Sequence, residues 1–370
     1  MYYRLELDGT SNAYVSVTAI PRPGAGLAVG DGVSVSVQSA DGANCSYDTV
    51  IVGASRSPQP ITAWGARELL PGKGVCQEAG TYYVVVERAA GSAAGADDPW
   101  ELELAPVSEP PLKKAAPTGT PETWNSATPD PAVGEPVDRA GGAGFSKAAA
   151  VEQGVWSDEI APGQTLFYKV PVDWGQQLYA GVDLASAGKD SAFVVDALDL
   201  TLYNPVRAKV EDKGIGYGGG QKSAVLDPAP PVRYANRYAP TDPANSLRFA
   251  GSYYLVVHLA AQVADDFGDG PYGLTLRVRL GGTAQAGPGY AGKSVPRGLF
   301  GPDTETGPAA VDTARADGGT SAGGDPVMRA VAVGGIGTGT ALLLILGGWT
   351  LTARRRASAQ PRANAQNPTA

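Results

Sequence analysis

One histidine, His258, stands in 370 residues. A zinc site assembled from histidines is therefore excluded, and any Ser-His-Asp triad would have to use this one ring. Cysteine is nearly as scarce. Cys45 and Cys76 are the only two, and they are too far apart in sequence for a CxxC redox or zinc pair. Charged residues make up 18% of the chain, the net charge is -8, and no basic stripe is present. Nothing is there to neutralise a phosphate backbone, so a nucleic-acid binder is excluded. The one dense basic run is Arg354, Arg355 and Arg356, beside an apolar stretch.

Glycine (50) and proline (30) are abundant, and most aromatics are tyrosines, 16 of them. That mixture suits many short strands joined by tight turns, and suits long helical bundles poorly. An internal repeat sharpens the reading. YYRLELDGTSNAYVSV from Tyr2 aligns with FYKVPVDWGQQLYAGV from Phe167 at an offset of 165, pairing Tyr3 with Tyr168, Asp8 with Asp173 and Tyr14 with Tyr179. VSVSV (33–37) then meets LDLTL (198–202), AGTYYVVV (79–86) meets AGSYYLVV (250–257), and PWELEL (99–104) meets PYGLTL (271–276). Each block alternates apolar and polar residues and is rich in β-branched and aromatic side chains, with Gly/Pro/Asp turns between. The fold class expected is all-β: two tandem jelly-roll-like β-sandwiches, over 1–106 and 144–281, joined by a Pro/Thr/Gly-rich linker over 107–143. A flexible stalk follows over 282–328.

In the second copy IAPGQTLFYKVPV, LDLTLYNP, AGSYYLVVHL and GPYGLTLRV resemble the bacterial pre-peptidase C-terminal domain, a compact β-sandwich attached to secreted proteins. The marks are the Pro162-Gly163 turn, the strand from Asp199 to Tyr203, Gly251 to Val257, and Tyr272 to Leu276. The first copy keeps the last two; its VSVSVQ strand departs from the pattern and its Pro-Gly turn is absent. The resemblance implies an accessory, non-catalytic module and brings no catalytic residues. The whole layout is similar to that of surface proteins of high-GC actinobacteria.

The 24 residues from Ala330 to Ala353 carry no charge. As a helix they would reach about 36 Å, enough to cross a bilayer core with some tilt. A transmembrane helix is expected over 329–353, with Trp349 as interface anchor and Arg354, Arg355 and Arg356 as cytoplasmic stop, so that 354–370 is a cytoplasmic tail and the rest is extracellular. No LPxTG-like signal precedes it, which points to a retained anchor. The exported location favours a disulfide between Cys45 and Cys76; two unpaired small core residues are the alternative. The second copy has a strand and a Pro-Gly turn (GVWSDEIAPGQTL) ahead of Phe167, and the first copy has no counterpart. A leader and first strand upstream of Met1 would account for this; a cytoplasmic tail-anchored protein is the alternative, and it conflicts with the arginine placement.

Few residues suggest chemistry. Asp265, Asp266 and Asp269 could offer oxygen ligands to calcium, though Asp and Gly equally favour turns. Gly214, Gly216 and Gly219 match GxGxxG without the strand and helix that a dinucleotide site needs. His258 falls in the outward phase of its strand, where an exposed structural role is expected. The tyrosines Tyr82, Tyr83, Tyr253 and Tyr254 are expected to pack the sandwiches. The Tyr- and Arg-containing segment from Gly214 to Pro243 is the best binding-loop candidate. No cofactor is expected. The function expected is that of a membrane-anchored extracellular binding or structural protein. Its partners would be the membrane and either a cell-wall polysaccharide or a surface protein. The alternatives are an accessory subunit docking to a secreted or membrane enzyme complex, and an enzyme.

Overall fold

The computed structural model describes residues 1–89, 98–116, 118–119, 121–188 and 192–301. Trp349, Arg354, Arg355, Arg356 and the expected span lie outside them. Among the described residues no helix is long and apolar enough to cross a membrane.

Seven strands come first: β1 (Tyr2–Leu7), β2 (Asn12–Ile20), β3 (Gly32–Ser39), β4 (Asn44–Ile51), β5 (Ile61–Arg67), β6 (Gly80–Ala89) and β7 (Glu101–Glu109). They make two antiparallel sheets, ordered β1-β6-β3-β4 and β5-β2-β7. The ten that follow are β8 (Val137–Asp138), β9 (Ala149–Ala150), β10 (Gly154–Ile160), β11 (Thr165–Val172), β12 (Gln177–Leu184), β13 (Val194–Tyr203), β14 (Lys209–Tyr217), β15 (Lys222–Val225), β16 (Gly251–Leu259) and β17 (Tyr272–Gly281), with short helices α1 (Asp242–Ser246) and α2 (Val263–Phe267). Their sheets run β9-β11-β16-β13-β14 and β15-β12-β17-β10-β8. The strand orders of the first copy recur in the second as β11-β16-β13-β14 and β15-β12-β17, so the repeat in sequence is a repeat in topology. The second copy adds β10 and β8 beyond β17, and β9 beyond β11.

Each copy closes around its own core. Val15, Val17, Val33, Val35, Val84 and Val86 fill the first. Leu198, Leu200, Leu202, Leu255, Val257, Leu274 and Leu276 are among those filling the second. These are the inward phase of each alternating strand, and each buried side chain contributes roughly 1.5–3 kcal/mol. Beside the first core, Cys45 and Cys76 form a disulfide packed against Val37 and Tyr82.

The outward phase of β2 is also buried. Tyr14 and Thr18 are 1% and 2% exposed, although they face away from the first core. The second module covers them: the outward face of the β5-β2-β7 sheet packs against the outward face of the β11-β16-β13 sheet. Tyr14 meets Phe249 edge-on at 5.2 Å, Arg207 pairs with Glu103 at 2.8 Å, and Arg248 pairs with Glu68 at 2.9 Å. The two sandwiches therefore form four stacked sheets.

Glu109, at the end of β7, pins this junction. Its carboxylate is 1% exposed and accepts hydrogen bonds from Asn12 Nδ2 (2.7 Å), Tyr14 Oη (2.8 Å), Arg237 Nη2 (2.9 Å) and Tyr290 Oη (2.9 Å). Burial and the Glu109 charge push both phenols far above their usual range, so both remain donors.

Two segments expected as extended chain are partly built into this body. Residues 282–301, the start of the expected stalk, run back along it: Val295 bridges to Ser108, Tyr290 to Leu112, and Phe300 stacks on Phe249 at 5.0 Å. A few apolar anchors (Tyr290, Leu299, Phe300) outweigh the Gly/Pro composition around them. The expected linker also starts late, because β7 continues to Glu109.

Replacing Cys45 and Cys76 by serine together is expected to remove about 4 kcal/mol, the closure entropy of the loop between them, seen as a lower urea midpoint. Arg237→Met should cost about 3–5 kcal/mol, because it strands a buried carboxylate, and Glu109→Leu in the same chain should recover only part of that loss, because Asn12, Tyr14 and Tyr290 then lose their shared acceptor.

Candidate functional site

The two copies use one face differently. In the first, Tyr14, Ser16 and Thr18 of β2 are sealed under the second module. Their counterparts at the offset of 165 are Tyr179, Gly181 and Asp183 of β12. These point outward from the far side of the stack. Leu178, Ala180, Val182 and Leu184 take the inward phase. Register places Tyr179 opposite Arg279, Gly181 between Arg277 and Val225, and Asp183 opposite Ser223.

Part of the inter-module segment lies across this face. Arg279 Nη1 donates to the Asp130 carbonyl at 2.7 Å, Arg277 Nη1 to the Ala132 carbonyl at 3.0 Å, and Gln177 Nε2 to the Asn125 carbonyl at 3.3 Å. Between this strap, β12 and β15 remains a groove of about 300 Å³, with Tyr179, Val225, Leu226, Pro129 and Pro131 among its walls. Two glycines shape it. At Gly181 a Cβ would stand 3.2 Å from Val225 and narrow the floor; at Gly281 a Cβ would meet the Tyr179 ring at 3.1 Å. One end is polar. Asp183 accepts from Ser223 Oγ at 2.6 Å and from Arg277 Nε at 2.9 Å. The groove thus offers an apolar bed beside a fixed carboxylate–guanidinium–hydroxyl cluster.

Outside the segment from Gly214 to Pro243 nothing in the sequence marks these residues: Tyr179, Gly181, Asp183, Arg277 and Arg279 are ordinary strand residues, and Pro129 and Pro131 fall in the expected linker. The signal was there in the repeat: where the first copy has Ser16 and Thr18, the second has Gly181 and Asp183. The expected binding segment from Gly214 to Pro243 contributes in part. Ser223, Val225 and Leu226 line the groove, whereas Arg237 is buried on Glu109 and Asn236 donates to the carbonyls of Pro231 and Leu247.

His258 corrects an expectation. It does occupy the outward phase of β16, but it is 1% exposed because the first module covers it. Its Nε2 lies 2.9 Å from Ser57 Oγ and its Nδ1 2.9 Å from Thr165 Oγ1. A serine beside a histidine invites comparison with a nucleophile and its base. Yet Ser57 is fully buried, its Oγ already accepts the Ala261 N–H at 2.9 Å, and a threonine hydroxyl stands where an orienting acid would be. A neutral imidazole can donate to one hydroxyl and accept from the other, so the arrangement is satisfied without ionisation. Burial pushes the His258 pKa down to about 4.

Tyr82 and Tyr253 pack in the cores as expected, whereas Tyr83 takes the outward phase of β6 and is half-buried, and Tyr254 meets Phe145 on the covered outer face. Asp265 and Asp266 lie in the first turn of α2, with Asp269 in the turn beyond it. Among the described residues no three acidic, histidine or cysteine side chains converge as a metal site would require. Gly214 and Gly216 lie within β14, a strand where a phosphate loop would need a helix start.

No protein-family model matches the chain, and no curated protein matches it. Several solved structures show a slight likeness. One is the N-terminal CBM22-1–CBM22-2 tandem domain of Paenibacillus barcinonensis Xyn10C, at 12% identity over 76% of this chain and 83% of that one, with a TM-score of 0.21. Another is a putative secreted protein of Parabacteroides distasonis, at 10% identity over 77% and 81%, with a TM-score of 0.19. The assignment of tandem sandwiches rests on the strand order and the cores.

A pH dependence follows from the covered face. His258 is the cross-strand partner of Asp199, whose pKa is pushed up to about 7, first by burial and then by Asp196 and Asp212. The histidine pKa falls on folding, so its contribution is complete above about pH 6.5 and is lost as pH falls toward 4, about 3 kcal/mol in all. The aspartate pKa rises on folding, so its contribution is complete below about pH 4 and is lost as pH rises toward 7, on the order of 4 kcal/mol. The two oppose each other in that window. Relative to wild type, Asp199→Asn should make stability rise more steeply from pH 4 to 6.5, and His258→Gln should make it fall, as read from urea midpoints across pH.

Proposed function

We propose that this chain is a non-catalytic extracellular recognition protein. Its two sandwiches, pre-peptidase C-terminal-like in their strand motifs and of the kind carried by actinobacterial surface proteins, stand outside the cell. The segment 329–353 holds them to the membrane, with Trp349 at the interface and Arg354, Arg355 and Arg356 on the cytoplasmic side. The observation that carries the reading is the groove on the free outer sheet of the second module. It lies on a face that the first copy loses to the other module, and it combines an apolar bed with a fixed polar cluster, as ligand sites do. The Cys45–Cys76 bond supports an oxidising compartment, because such bonds persist outside the reducing cytosol. The sealed Ser57–His258 pair supports a binding role over hydrolysis.

Surface proteolysis of intact cells expressing the gene with its upstream region, followed by mass spectrometry, tests the location. Peptides from 1–328 should be released while the 354–370 tail stays protected. Protection of both regions, with release only after lysis, would place the protein inside and remove the basis for surface recognition.

A further inference from the structure

We infer that the groove between β12, β15 and the 128–132 strap binds a neutral saccharide, one or two rings of a polysaccharide at a time. The inference rests on the proposed recognition role and names its ligand class. Size is the first argument. A groove of about 300 Å³ is at the small end of ligand pockets and admits a short stretch of a chain, not a folded partner.

Charge is the second. Arg277 and Asp183 are paired at 2.9 Å, and Arg279 and Asp130 are the other two charged residues lining the groove, so the lining sums to zero. A phosphate or a uronic acid would meet a lining of zero net charge, in which Arg277 is already paired with Asp183 and Arg279 Nη1 is spent on the Asp130 carbonyl. A purely apolar ligand would fare no better. It would strip water from Asp183, Arg277 and Ser223 and give nothing in return, a desolvation cost without a partner.

A pyranose or furanose ring answers both ends. Its C–H face suits the Tyr179 ring and the Val225 and proline walls, while its hydroxyl rim suits a carboxylate whose orientation is already fixed. A carboxylate has about four acceptor positions. Asp183 uses two, on Ser223 and Arg277, which leaves capacity for a pair of neighbouring hydroxyls. The cluster is assembled before the ligand arrives, which limits the ordering cost of binding. The floor argues against strand addition by a peptide. The backbone around Gly181 is already paired on both sides, to β15 and to β17, and offers no free ladder.

The test uses the full chain in a sugar-free detergent. It is titrated with neutral tetrasaccharides of glucose, mannose, galactose and arabinose, and with an acetylated, amidated TPDPA peptide that copies the strap. At least one tetrasaccharide should bind. Tyr179→Ala and Asp183→Asn should each weaken it by about tenfold or more, while Tyr179→Phe, which keeps the aromatic face, should stay within about threefold. Tyr47→Ala, on the outer face of the first module, should change nothing and controls for nonspecific adhesion. Unaltered thermal unfolding of each variant keeps the comparison clean. Sugar binding that survives both Tyr179→Ala and Asp183→Asn overturns the groove as its site. Peptide binding lost in Tyr179→Ala, with no sugar bound, overturns the ligand class and leaves the recognition role standing. Silence from both probes overturns the saccharide assignment and, together with internal location by surface proteolysis, the recognition role as well.

Discussion

A single buried carboxylate holds this molecule in its arrangement. Glu109 sits at the end of β7, wholly out of water, where an unpaired charge would be very costly. Its four donors come from three separate parts of the chain: Asn12 and Tyr14 from β2, Arg237 from the second module, and Tyr290 from the returning segment. None of these parts is close to the others in sequence, so the carboxylate is satisfied only when both sandwiches and the 282–301 segment are in place. Hydrophobic contact through Tyr14, Val107, Val206 and Phe249 supplies much of the attraction between the modules. Such contact is tolerant of sliding, whereas a charge with four directional partners is not.

The stack decides which surfaces are left for function. Of the four sheets, the two inner ones lose their outward faces to each other. Hydroxyls and a histidine are thereby sealed in an interface that two free sandwiches would have exposed, with Asp199 half-buried beside them, and the opposed pKa shifts of His258 and Asp199 are the electrostatic record of that burial. The outer faces of the terminal sheets remain. On the β12–β17 face the inter-module segment is tied down by arginine contacts to backbone carbonyls, so a stretch that must connect the modules in any case also makes the third wall of a groove.

Most of the architecture was legible in the sequence because it depends on local pattern. The strand blocks, their inward phase and the repeat relation all follow from alternation and from the offset between Tyr14 and Tyr179. What alternation does not reveal is what covers the outward phase. Alternation gives His258 the right phase and the wrong environment, since only the tertiary stacking turns the outer face of β16 into an interior. Residues 282–301 depart from the expected stalk for a related reason. Their Gly/Pro content describes an average, whereas three apolar anchors and two bridges determine where they lie. The groove was invisible for a third reason: its residues come from β12, β15, β17 and the strap, and no short motif unites them.

The divergence between the copies then becomes the informative signal. A face that must dock against another sheet needs small, mutually satisfied side chains at its centre, and Thr18 with Thr62 meets that need through a hydroxyl pair at 3.0 Å. A carboxylate at that position would be buried beside Glu103, its cross-strand neighbour, whose cation Arg207 is already engaged. In the second copy the same position is Asp183, which is tolerable because Arg277 stands beside it and the face stays hydrated. Gly181, in turn, opens the space that Ser16 fills in the first copy. Two substitutions at equivalent sites therefore separate a docking face from an open one. Selection for stacking alone would favour the pattern of the first copy, so the second copy's departure, charged and hollowed at its centre, is the part of the sequence that stability does not explain.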